Sequence, residues 1–246
     1  MVPSRYKRIA LNLFGTVSIW CLHLDSNMLS FLRAPTPPRR HTANLATIEY
    51  EDGISSQTFH GPGSRYFVSH RIPNNKSFFN PPQHLHLFQT EEFIVEQGTG
   101  IWYQPTAANP ANRRIVKQAS DANPTVCLPK GTFHRFENAS DTEPLVVGIR
   151  VDPPGKNAVK EEQFFRNFFG YLDDCRKHGS QPSIFQLELF LHTVDGPLAI
   201  PVPGPDSVKW WVSRLMMLFL GVIIGEWVLG YQRTYPEYYS GKDTGK

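Results

Sequence analysis

Cysteine is scarce. Cys21, Cys127 and Cys175 are the only three in 246 residues, too few and too scattered for a disulfide framework. Nothing in the sequence pairs any of them with a base, so no thiol nucleophile is indicated. Cys127 reads as a small buried hydrophobe in a strand. Also missing are a Gly-rich phosphate loop, a dinucleotide fingerprint and a Ser/His/Asp triad, so no organic redox cofactor is expected. An excess of one charge is lacking too. The formal net charge is only +3, no nucleic-acid motif accompanies it, and nucleic acid is set aside as a partner. The charge is unevenly placed: residues 1–40 hold Arg5, Lys7, Arg8, Arg33, Arg39 and Arg40 against Asp25 alone. A basic end beside apolar sequence points to a membrane surface or a targeting segment.

Against these absences stands a concentration of imidazole and carboxylate. His84 and His86 are two apart, so on a β-strand both rings leave the same face. Glu91 follows after four intervening residues and opens an alternating run, Glu91-Glu92-Phe93-Ile94-Val95, that ends at Gly98-Thr99-Gly100. A third imidazole, His134, comes just after the Pro129/Gly131 turn and precedes Phe136 and Asn138 on the same strand face. Three neutral nitrogens and one carboxylate suit a divalent transition metal: iron, manganese, zinc, nickel or copper. A slip of one residue would exchange Glu92 for Glu91 as the inward carboxylate, and hydrophobicity alone barely opposes it. The spacing to Gly98 favours Glu91. Binding that needs neutral imidazoles is expected to weaken below the free histidine value near ~6.5.

The two segments, H-x-H-x4-E-x6-G from His84 to Gly98 and P-x-G-x2-H-x3-N from Pro129 to Asn138, resemble the paired motifs of the cupin family. Both cores match at every defining position. Upstream, where the family often has glycine, this chain has Phe78 and Asn123. The resemblance implies a cupin-type jelly-roll barrel, an all-β fold, with His84, His86, Glu91 and His134 as metal ligands.

Short apolar runs punctuated by Gly, Pro and Asn support an all-β domain over residues 42–152. A basic leader and Pro-rich linker occupy residues 1–41, where the apolar stretch Ile9–Leu24 is a weak signal or anchor pattern. The polar stretch Thr106–Asn123 reads as a loop between the motifs. Residues 153–207 read as a helical extension. Its first helix carries an i, i+4, i+8 stripe of Phe164, Phe165, Phe168, Phe169 and Leu172, with Glu161, Arg166 and Asp173 off the stripe and Gly179 as the C-terminal cap. A second helix is expected from Pro182 to His192. These helices are expected to cover the barrel. Residues 208–231 read as a single membrane span. Trp210–Tyr231 is of bilayer length and is flanked by aromatic residues. A polar tail, residues 232–246, follows.

The whole chain also looks like the fungal single-domain cupins that accompany polyketide synthases, an impression carried by Phe185–His192 and Trp227–Tyr238. This resemblance implies an accessory oxidoreductase of secondary-metabolite biosynthesis. The expectation is a metal-dependent oxidoreductase, Fe(II) favoured, acting on an apolar or aromatic polyketide-type small molecule. The alternatives are a redox-neutral isomerase, dehydratase or cyclase, and a non-catalytic membrane-bound accessory protein. A homodimer and an association with other biosynthetic enzymes are left open.

Overall fold

The computed structural model describes residue 29 and residues 32–61, 63–105, 113–154 and 156–241. The apolar stretch Ile9–Leu24 and Cys21 lie outside the described residues. Among the described residues nine strands form two antiparallel sheets: β1 (Thr47–Tyr50), β2 (Ser55–Phe59), β3 (Val68–Ile72), β4 (Thr90–Gln97), β5 (Thr99–Gln104), β6 (Arg113–Gln118), β7 (Thr125–Leu128), β8 (Arg135–Asn138) and β9 (Leu145–Asp152). One sheet has the order β1-β2-β3-β9-β4-β7 and the other β6-β5-β8. The last strand returns between β3 and β4, and β8 lies beside β5. This interleaving is the expected cupin-type jelly roll.

The strand chemistry explains the barrel. Along β4, Glu91, Phe93 and Val95 are buried while Glu92 and Ile94 are less so, a period of two that sends one row inward. Phe93 meets Trp102 from β5 and Phe136 from β8, with ring centroids 5.7 and 5.2 Å away, and all three are buried. Between β4 and β5 the chain reverses at Gly98, whose φ of +77° suits glycine. A Cβ there would also collide with the Pro144 carbonyl oxygen.

The barrel is followed, among the described residues, by α1 (Lys156–Lys177), α2 (Ile184–Thr193) and α3 (Asp206–Met217), which continues in wider π-type turns through Leu218–Val228. Gly179, at φ +66°, closes α1 as expected. Several details depart from the sequence reading. β6 lies inside the stretch read as a loop. Cys127 is exposed on the outer face of β7, opposite Glu92, because the strand's alternation gives the interior to Val126 and Leu128. Glu161, Arg166 and Asp173 are all buried. α1 is covered on more than its barrel side, so its polar positions are enclosed as well. Arg40 reaches Asp173 at 2.7 Å and Asp174 at 2.7 Å. The Tyr238 hydroxyl donates to Asp174 at 2.8 Å, and the Tyr235 amide donates to Asn167. Tyr235 and Tyr238, from the stretch read as a polar tail, are therefore part of the core.

Candidate metal centre

His84 and His86 lie on a short extended segment held from both sides. The His84 amide donates to the His134 carbonyl at 2.9 Å, and the His134 amide donates back at 2.8 Å. On the other side the Ala199 amide donates to the Gln83 carbonyl at 2.8 Å, and the Leu85 amide to the Pro197 carbonyl at 3.3 Å. The chain leaving α2 thus fastens the segment that carries two of the histidines. His134 stands immediately before β8, and Glu91 is the second residue of β4. The sheet pairing turns Glu91 inward. Glu92 points outward, where Arg65 donates to it at 2.6 Å and Tyr66 at 2.9 Å.

One ligand atom from each of His84, His86, Glu91 and His134 can be chosen so that all lie within 4.8 Å of one another. Ligands at ~2.1 Å from a common ion stand up to ~4.2 Å apart, so a modest contraction brings the four onto one centre. Two of the rings are already set for this. Nδ1 of His84 lies 2.9 Å from the Pro82 carbonyl and Nδ1 of His134 lies 2.8 Å from the Thr132 carbonyl. A carbonyl only accepts, so Nδ1–H donates and the Nε2 lone pair is left for an ion. His86 is buried with neither ring nitrogen in a well-aligned hydrogen bond. Its Nε2 lies 3.4 Å from Glu91, while Nε2 of His134 lies 3.2 Å from the other Glu91 oxygen. These donors fit a divalent transition metal.

Electrostatics reinforce that fit. Burial, then the neighbouring His134 and His86, press His84 down to about 3, so it is neutral at physiological pH. Burial also opposes charge on His86, but Glu91 and Glu161 outweigh it and lift its value to about 9. Burial would raise Glu91. The two facing imidazoles overcome that and hold it well below the usual carboxylate range. Without an ion, a proton on His86 supplies the positive charge that Glu91 demands. The threshold for neutral ligands therefore lies higher than the value near ~6.5 expected of a free histidine.

His84, His86 and Glu91 open into a cavity whose empty space, counted out into the solvent at its mouth, is about 690 Å³. Its other wall is aromatic, formed by Phe78 and Phe79 and by Phe164, Phe165, Phe168 and Phe169 of α1. Phe79 stacks on Phe169 with centroids 4.3 Å apart and planes 4° from parallel. Rather than only covering the barrel, α1 forms the wall opposite the imidazoles. The sequence signal was the Phe stripe, but its destination is set by tertiary packing. His70 and Glu161 also line this cavity and were not singled out as site residues. Burial lowers His70 to about 3 and raises Glu161 to about 8.

No protein-family model matches the chain. Among known proteins, "Probable oxidoreductase virH" of Hypocrea virens is 35% identical over 176 residues, covering 71% of this chain and 74% of that protein. The chain belongs to this family of fungal oxidoreductases. "Oxidoreductase iacF" of Pestalotiopsis fici, another relative, is 32% identical over 177 residues, 68% of this chain and 83% of its own length. Among solved structures, the cupin domain of Drosophila melanogaster CENP-C aligns with a TM-score of 0.35 at 12% identity, over 53% of this chain and 96% of that one. The oxidoreductase family thus meets, in this member, a barrel whose histidines and one carboxylate converge on an aromatic cavity.

Proposed function

We propose that the protein is a metal-dependent oxidoreductase acting on an apolar, ring-bearing small molecule of polyketide type in secondary-metabolite biosynthesis. The observation that carries this reading is the junction of two surfaces. His84, His86 and Glu91, with His134 grouped beside them, form one end of a cavity, and phenylalanine rings line the rest. His84, His86, Glu91 and His134 would hold the ion, with Fe(II) favoured by a nitrogen-rich, singly carboxylated donor set. Such an ion, when bound, supplies one-electron redox chemistry. The chain's own residues do the rest. Pro82 and Thr132 carbonyls fix the rings of His84 and His134. The phenylalanines exclude water and offer faces for a flat substrate.

The test is turnover of a reduced polyketide intermediate by the Fe(II)-loaded full-length protein, with dioxygen uptake stoichiometric with product. An unchanged rate without oxygen or another electron acceptor would instead favour the redox-neutral isomerase or cyclase reading.

We also propose that helix Asp206–Val228 holds the protein at a membrane. It is 23 residues long with a mean hydropathy of 1.6 in its most apolar stretch, only 22% of which is buried. Trp211, Leu215, Phe219, Ile223 and Trp227 recur every fourth residue and are all exposed, an apolar stripe ended by indoles. The opposite side carries Gly221 and Gly225 against α2. A Cβ on Gly221 would come within 2.7 Å of the Glu188 backbone. The helix is thus docked on the enzyme by its glycine face and presents its apolar stripe outward.

A further inference from the structure

Glu161 is a buried acid that the fold leaves unsatisfied. It has no exposed surface, and neither carboxyl oxygen makes a well-aligned hydrogen bond, although the Gln89 side chain approaches it. Gln89 itself has an unpartnered amide oxygen. Buried polar groups are normally satisfied, and each exception calls for a reason.

The same helix shows how its other buried acids are treated. Asp173 is met by Arg40, Arg176 and Lys177, and Asp174 by Arg40 and the Tyr238 hydroxyl. No salt bridge reaches Glu161 among the described residues, although His86 when protonated acts on it through space, and it is not one of the four grouped His and Glu side chains that could hold an ion. It faces the cavity instead. On α1 it lies four residues before Phe165 and eight before Phe169, on the same helix face. A ring resting on those two phenyl groups would therefore extend a substituent toward the carboxyl.

The substituent's chemistry follows from its surroundings. A carboxylate or phosphate set against Glu161 would either repel its ionised form in a medium that screens poorly or have to hold it protonated. A hydrocarbon would leave the carboxyl unpaired. A neutral hydroxyl both donates and accepts, and so matches this acid in either protonation state. Building on the reading of this cavity as the substrate site, we propose that Glu161 is a substrate-binding residue that receives a hydroxyl group of an aromatic substrate lying against Phe165 and Phe169. Specificity would then combine ring stacking along α1 with one hydrogen bond at its end, and the metal would face another part of the molecule.

The experiment uses full-length, metal-loaded protein and two probes of similar size, 2-naphthol and 2-methylnaphthalene, titrated by equilibrium dialysis with metal content measured in parallel. The wild type should prefer 2-naphthol by about tenfold or more, the worth of one hydrogen bond to a buried polar group. E161L should reduce that preference to about threefold or less with metal content unchanged, and E161Q should restore part of it. If E161L does not fold, E161M supplies the same readout. A preference that survives in the apolar variant overturns the proposal. If that preference is also lost in metal-free His84→Ala, the ion holds the hydroxyl, and the cavity reading stands without Glu161. Loss of metal in E161L would make Glu161 part of the ion site and overturn the proposal in another way. If neither probe binds the wild type, the assignment to a hydroxylated aromatic falls together with the cavity reading.

Discussion

Loading the centre with metal at neutral pH should expel about one proton per ion. His86, lifted to about 9, is almost wholly protonated two units lower, at pH 7. An imidazole must be neutral to ligate, so the ion and this proton compete. His84, pressed down to about 3, and Glu91, held low, arrive already deprotonated and contribute none. The sign follows directly: a raised folded-state value favours the protonated, metal-free form below about 9, so affinity climbs with pH until that point. The slope is about tenfold per pH unit well below that value and flattens as it is reached, hence about 50-fold or ~2.3 kcal/mol between pH 7 and 9. Calorimetric titration with Zn(II), a redox-silent ion, in two buffers of different ionisation enthalpy counts the protons directly. Repeating it at pH 7, 8 and 9 gives the slope. No proton released at pH 7, or an affinity that is flat above the ordinary histidine range, would refute the coupling of His86 to Glu91.

Replacing His86 or His134 with Ala should remove most bound metal by elemental analysis, whereas Glu92→Ala should leave it intact; the reverse dependence on Glu91 and Glu92 would mean that the β4 register is wrong. Phe169→Ala, which deletes the ring stacked on Phe79, should cost ~3–5 kcal/mol in denaturant unfolding while sparing metal content; a loss below ~1 kcal/mol would show that α1 does not pack as described. Full-length protein should pellet with membranes and resist carbonate extraction. The triple change Trp211→Ser, Phe219→Ser and Trp227→Ser should release it with its metal still bound. A wild type that is monomeric and soluble without detergent would end the membrane reading. These surface changes are a cleaner test than truncation near Ser207, because truncation also removes the buried Tyr235 and Tyr238.

The candidate site was legible because its spacing is local. An i, i+2 pair on an extended segment, a carboxylate at the start of an alternating strand and a third imidazole after a Pro/Gly turn are all written in spacing. Pairing in the folded barrel turns Glu91 inward because β4 places Phe93 and Val95 on the same interior row, while Arg65 and Tyr66 claim Glu92 on the other. The barrel and the order of the helices were legible for the same reason, since period-two runs and a phenylalanine stripe announce themselves one element at a time.

What the periodicity could not convey was enclosure. A helical wheel assigns Arg166 and Asp173 to solvent on the premise that a surface helix buries one face, whereas Glu161, set apart from the stripe on its polarity, falls four and eight residues before Phe165 and Phe169 on the apolar face itself. α1 violates that premise because Arg40 and the Tyr235–Tyr238 segment, far apart in sequence, close over its other sides. Enclosure gives the three polar residues different fates. Asp173 finds cations, and Arg166 donates to the Leu45 carbonyl at 3.0 Å and lies over the Phe59 ring. Glu161 finds neither and opens onto the cavity. An acid that keeps step with an aromatic stripe, as Glu161 does with Phe165 and Phe169, is thus a sequence feature with two readings, and only the far ends of the chain decide between them. Here they decide for a helix that forms one wall of the cavity, so on the proposed reading α1 would set specificity as much as the barrel that carries the imidazoles.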